Sequence, residues 1–258
     1  MNIIRGSISV FGMAFLFAAP SLLQAATVAD AEVERIVRTI DTLYRGKSSR
    51  ALVEMQIVNP SSDRKLLLSV STQGEDRTFI RIKEPAKDKG IGTLRLSNEI
   101  WNYLPRADET VRIPPSMLMN SWMGSDFTND DLLKEYTFFR DHACARAPAA
   151  GTPETTLSIR CTPKPGVLVL WDYVLVVSDK ASGLPLRQEF YDRDNKLMRS
   201  LVYSEVAPLG GRKLPTVLKM APAGQTGQYT QITYKELKYD LQLPEELFSR
   251  RYLQSGDD

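Results

Sequence analysis

Apolar residues recur with two different periods along the chain. Val33, Ile36, Val37, Ile40, Leu43 and Tyr44 repeat at helical spacing, behind a capping-box pattern at Thr27-Val-Ala-Asp30 and ahead of a stop at Gly46, so one amphipathic helix is predicted. From Ser49 the period shortens to two, in Ala51, Val53, Met55 and Ile57, then Leu66, Leu68 and Val70, then Phe79, Ile80 and Ile82. These are strands, parted by the turn clusters Asn59-Pro-Ser-Ser-Asp63 and Gln73-Gly-Glu-Asp76. Strands are also predicted at Thr93–Leu96, Glu99–Leu104 and Thr110–Ile113. They resume at Tyr136–Asp141, Thr155–Cys161, Leu170–Ser178, Leu186–Asp192, Leu197–Val206, Thr216–Met220 and Tyr229–Tyr239, before a terminal helical turn at Pro244–Phe248. Connections such as Asp179–Gly183, Asp192–Asn195 and Gly210-Gly211 are short and polar, which predicts an antiparallel meander. The fold class is therefore mainly β with few helices. A sheet of about ten or more strands must curl, and its apolar face must be covered or enclose a cavity.

The pattern breaks once, from Ile113 to Leu132. Pro114-Pro115 cannot continue a central strand, and the apolar residues that follow lack a strand period. Met117, Leu118, Met119, Trp122, Met123 and Phe127 combine adaptable thioethers with large rings, a composition that suits either ordinary core or a lid over a greasy ligand. Gly124 is the candidate hinge, and Thr128 with Asp131 reads as the cap of a short second helix ending near Lys134. Trp101 and Tyr103 share one strand face and are expected to line the sheet beneath this lid, with Ile100, Asn102 and Leu104 facing away.

The N-terminus changes the compartment. Arg5, the apolar run Ile8–Ala19, Pro20 and the small residues Ala25-Ala26 form a secretory signal peptide pattern, giving residues 1–25 as leader and 26–258 as a single domain. Export to the periplasm permits disulfides. Cys144 and Cys161 fall in strand-like segments joined by a loop rich in Ala, Pro and Gly, where a bridge would contribute about 3 kcal/mol by restricting the unfolded chain. Reading His142 with both cysteines as a metal site leaves the fourth ligand missing.

The formal charge is +2, and losing Arg5 with the leader leaves the mature chain near neutral, which gives no case for nucleic acid. His142 is the one histidine and no Gly-x-Ser-x-Gly elbow surrounds a serine, so a hydrolase is not expected. Asp126, Asp130 and Asp131 lack the spacing of a calcium loop, and no cofactor or metal is expected. Lys87 and Lys89, beside Gly90 and Gly92, do not match phosphate-loop spacing.

Several runs together carry a family resemblance. Arg81-Ile-Lys-Glu-Pro-Ala-Lys-Asp-Lys-Gly-Ile-Gly92, Ile100–Pro105, Val111–Pro114, Ser121-Trp-Met-Gly-Ser-Asp-Phe-Thr128 with Asp131-Leu132, Gly183-Leu-Pro185 and Lys213-Leu-Pro215 make the chain resemble the outer-membrane lipoprotein-sorting-like family of periplasmic proteins. The Ser121–Thr128 motif is its most specific part. That resemblance implies a LolA/LolB-like incomplete β-barrel whose helices plug an apolar cavity, binding acyl chains of a lipid or lipoprotein as a monomer. It also implies service to an inner-membrane transporter of RND or ABC type. The alternative is a sensor or adaptor of the same fold that binds a partner protein.

Overall fold

In a computed structural model, described for residues 30–134, 138–148, 153–167 and 170–255, thirteen antiparallel strands form one open sheet. The leader and Thr27 lie outside the described residues. Two meanders make up the sheet. The first runs through β1 (Ser48–Asn59), β2 (Ser62–Gln73), β3 (Arg77–Glu84), β4 (Gly92–Leu96), β5 (Glu99–Leu104) and β6 (Glu109–Arg112). The second runs through β7 (His142–Arg146), β8 (Thr156–Pro163), β9 (Tyr173–Asp179), β10 (Pro185–Tyr191), β11 (Leu197–Leu209), β12 (Arg212–Pro222) and β13 (Tyr229–Tyr239). Antiparallel pairing of β1 with β13 joins them, leaving β6 and β7 as the two free edges. The sheet is curled but not closed.

Tight hairpins explain why sequence neighbours are spatial neighbours. At the β11–β12 turn both glycines have positive φ, +60° and +79°, and a Cβ on Gly210 would sit 2.7 Å from the Leu237 carbonyl oxygen, so only glycine fits there.

The predicted amphipathic helix is α1 (Ala31–Thr42). Asp30 caps it, its carboxylate accepting the Glu32 and Val33 N–H groups at 3.1 and 3.4 Å. Val33, Ile36, Val37 and Ile40 bury one stripe against the sheet, each contributing about 1.5–3 kcal/mol. At the helix end the Tyr44 hydroxyl donates to the Pro215 carbonyl at 2.8 Å, and its ring stacks on Tyr234 at 4.4 Å.

Because β6 and β7 are opposite edges, the chain from 113 to 141 must cross between them. It does so through a 3-10 turn at Pro115–Met117, a compact turn at Ser121–Thr128, α2 (Asn129–Lys134) and α3 (Phe138–Asp141). Two sequence expectations fail here and nearby. Phe138–Asp141 is helical rather than a strand, because the Asp41 carboxylate on α1 accepts the Phe138 and Phe139 N–H groups at 3.1 and 2.9 Å and caps a helical turn. The strand expected from Leu170 starts at Tyr173, since Trp171 turns its ring toward Phe190, 5.5 Å away.

The other sheet face is covered by a 3-10 turn (Glu245–Phe248), with Pro244 just ahead of it, and by α4 (Arg250–Ser255), a helix beyond the predicted terminal turn. Leu247, Phe248 and Leu253 pack there on Phe79, Leu94, Trp101 and Tyr103 as a second core. Cys144 and Cys161 are directly opposed on β7 and β8 and are disulfide-bonded, with Cα atoms 4.1 Å apart. Among the described residues, no helix is long and apolar enough to cross a membrane.

Candidate functional site

An apolar cavity of about 180 Å³ lies between the concave sheet face and its cover. Alternate residues of successive strands form the floor: Val53 and Met55 on β1, Leu68 and Val70 on β2, Leu201 and Tyr203 on β11, Leu218 and Met220 on β12, Ile232 and Tyr234 on β13. This spacing of two is the inward half of each strand's period. Ile40, Leu43 and Tyr44 close one end, and Trp122, Phe127 and Leu132 form the roof.

Hydrogen bonds fix the roof turn. Trp122 N–H donates to the Phe127 carbonyl at 2.7 Å, and Ser125 fills the loop from within, its hydroxyl donating to the Trp122 carbonyl at 2.6 Å. Trp122 is 2% exposed, and its indole N–H donates to Thr93 Oγ1 at 3.1 Å. Gln228 and Thr230 side chains donate to the Asp126 carboxylate at 2.7 and 2.8 Å. Thr128 and Asp131 form the expected capping box: the Asp131 carboxylate accepts the Thr128 N–H at 2.7 Å, and Thr128 Oγ1 accepts the Asp131 N–H at 3.2 Å.

A buried ion pair fastens α2 to the floor. Arg199 of β11 donates both terminal nitrogens to the two oxygens of Asp131, one at 2.8 Å, while its guanidinium lies over Phe190 and Trp171 at 4.4 and 4.6 Å. Asp41, which holds α3 to α1, has its carboxyl pKa pushed up to about 6 by burial, against the opposing pull of the two N–H donors.

The candidate residues divide into three groups. Trp122 and Phe127 line the cavity, and Met123 packs half-buried against the same core. Met117 and Met119 are 42% and 39% exposed and, with half-buried Leu118, stand outside the cavity. Their backbone is what the cover uses: the Met117 carbonyl accepts from Asn129 Nδ2 at 3.0 Å and the Leu118 carbonyl from Asp130 N–H at 2.8 Å. Trp101 and Tyr103 lie in the second core on the opposite face, correcting the expectation that they underlie the roof. Asn102 is on the roof side, accepting from Thr93 Oγ1 at 2.7 Å. Gly124 has φ +75° with open space around it and follows Met123 at φ +53°, so two successive left-handed residues shape a turn closed by the Trp122–Phe127 and Ser125–Trp122 backbone bonds.

Most of the lining was not singled out from sequence. Its signal was present in the spacing-two pairs Leu201/Tyr203, Leu218/Met220 and Ile232/Tyr234, which look like any half-buried strand until the sheet's curvature says which face is enclosed. Gln188, 4% exposed and lining the cavity, has no hydrogen-bond partner for its side-chain amide among the described residues. His142 also reaches the cavity, stacked on Phe138 with ring centroids 4.8 Å apart. Among the described residues no group of three or more His, Cys, Asp or Glu could hold a metal ion.

A family model described as an uncharacterized protein matches residues 74–255. No curated protein matches the chain. Solved structures with the same fold include a DUF1329 family protein from Desulfovibrio piger, 21% identical with a TM-score of 0.74, the match covering 85% of this chain and 97% of that one. An outer membrane lipoprotein-sorting protein domain from Vibrio parahaemolyticus is 21% identical with a TM-score of 0.71, over 86% and 98% of the two chains. A LolA superfamily protein from Nitrosomonas europaea is 19% identical with a TM-score of 0.69, over 85% and 98%.

Proposed function

We propose that the chain, which belongs to the family whose model, described as an uncharacterized protein, matches residues 74–255, is a periplasmic carrier that shelters the acyl chains of a lipid or lipoprotein in its concave cavity, a reading supported by the fold it shares with an outer membrane lipoprotein-sorting domain and a LolA superfamily protein. The observation that carries this reading is the partly open apolar space itself, walled by strands on one side and by Trp122 and Phe127 on the other. At about 180 Å³ it compares with engineered cavities of about 150 Å³ that admit benzene. As it stands it holds a short piece of chain. A full acyl chain therefore requires the roof to move, and the roof is fastened by side-chain contacts that can be released.

Burial of about eight methylenes at about 0.8 kcal/mol each contributes about 6 kcal/mol before association entropy is subtracted, enough for binding that is reversible. Residues 1–25 act as the export leader in this account, and the rest works as one monomeric domain beside an inner-membrane exporter of RND or ABC type. The family resemblance is the support for that partner class.

Native mass spectrometry of the protein isolated without detergent tests the reading. An adduct whose mass matches an acyl lipid, identified after extraction, is the expected result. A bare mass that persists when acyl lipids or acylated peptides are offered contradicts it.

A further inference from the structure

We infer that Gln188 makes the cavity selective for the carbonyl of an acyl ester or amide, so that the ligand is recognised at the linkage of its chain and not by its hydrocarbon alone. This rests on the carrier reading. Gln188 sits mid-strand on β10, opposite Val176 on β9 and Leu201 on β11, in a row otherwise built of aliphatic side chains. The residue is 4% exposed and lines the cavity, and its side chain makes no hydrogen bond among the described residues, although its amide atoms remain accessible from the cavity. A packed apolar wall has no use for such a group, because leucine or methionine would fill the place without presenting an amide to an apolar cavity.

The neighbouring charge decides what the amide can take. Two residues along the strand Phe190 stands opposite Arg199, and that guanidinium is committed to both oxygens of Asp131. No free cation is thereby presented to the ligand from this pair, so a carboxylate or phosphate would be desolvated without a counter-charge. A neutral acceptor suits a neutral donor. The Gln188 NH₂ donates to a carbonyl oxygen, while the chain on either side of that carbonyl meets Leu201 and Phe190.

Competition against the fluorophore N-phenyl-1-naphthylamine, using the full chain, tests this. The competitors are 1-lauroylglycerol, its ether analogue 1-dodecylglycerol, which lacks the carbonyl, and N-lauroylethanolamine. The wild type is expected to prefer the ester or the amide over the ether about tenfold, equivalent to about 1.4 kcal/mol. In Gln188→Met the preference is expected to fall to near unity with ether binding retained. Preference for the ester points to a glyceride linkage, and preference for the amide to an N-acyl one; either supports the inference. An unchanged ratio in Gln188→Met overturns it while leaving the carrier intact, whereas failure of all three competitors to bind the wild type overturns the carrier reading as well. Thermal unfolding supplies a second readout independent of binding: Gln188→Met and Gln188→Leu are expected to melt at or above the wild-type temperature, and a marked fall would show that the amide serves the fold and overturn its assignment to a ligand.

Discussion

The two faces of the sheet are covered by different means. On the convex face, the turn and helix at 245–255 seal a core with Phe79, Leu94, Trp101 and Tyr103, and Arg81 locks them by donating to the main-chain carbonyls of Gly90, Tyr252 and Leu253 at 2.7, 3.1 and 2.9 Å. Packing is so close that a Cβ on Gly92 would lie 2.7 Å from Leu253 Cδ1. On the concave face, the cover at 121–134 and 138–141 is tied to the sheet and to α1 through Arg199–Asp131, Asp126–Thr230 and the Asp41 cap of α3, and it leaves a cavity beneath. One cover closes a core and the other roofs a space. The proposed carrier function belongs to the second, since a carrier needs room and a cover that can leave.

Substitutions on the two faces should therefore separate stability from binding. Trp122→Ala is expected to cost about 4 kcal/mol, because a fully buried indole and its hydrogen bond to Thr93 are lost, and to alter acyl-probe binding as the roof opens. Leu253→Ala, on a residue with no exposed surface, is expected to cost about 3 kcal/mol while leaving probe affinity unchanged. Calorimetry should show each kcal/mol as a shift of about 2–4 °C. If Leu253→Ala weakens binding as much as Trp122→Ala does, the division between the faces fails.

Asp131→Asn should come next, at about 2 kcal/mol, because it leaves the buried Arg199 charge without its counter-ion, and it should speed probe release by loosening α2. The α1–α3 junction adds a pH dependence. With its folded pKa raised to about 6, Asp41 holds its proton more tightly in the folded state, so its stabilisation is full below the ordinary carboxylate value of 3.8 and is lost as pH rises through about 6. Unfolding measured at pH 5 and pH 7.5 should differ by about 1–2 kcal/mol from this group after screening, and Asp41→Asn should remove that difference. The smallest effect is expected for the double change Met117→Ser and Met119→Ser, below about 0.5 kcal/mol, because both side chains are already in solvent. A larger loss would return these methionines to the cavity wall.

Most strand positions, the amphipathic helix, the opposed cysteines and the Thr128–Asp131 cap were legible, because each depends on a local period or a local hydrogen bond, whereas Phe138–Asp141 and the start of β9 depend on contacts distant in sequence. What sequence did not reveal was sidedness. Phe79, Ile80 and Ile82 form a nearly continuous apolar run, which signals a strand covered on both faces, yet which face encloses space depends on the curl of the whole sheet. That is why Trp101 and Tyr103 fell on the wrong side and why Gln188 escaped notice. Met117 and Met119 misled for a different reason: their composition suits a lid, but the cover there is fastened through backbone carbonyls and points its side chains outward.

The most direct measurement is photocrosslinking with a fatty-acyl lipid carrying a diazirine in mid-chain, followed by peptide mapping. Crosslinks concentrated on the concave lining, at Trp122, Phe127, Leu201 and Met220, are the result this account requires. Crosslinks on Trp101, Tyr103 and Leu253, or on Met117 and Met119 alone, would contradict it.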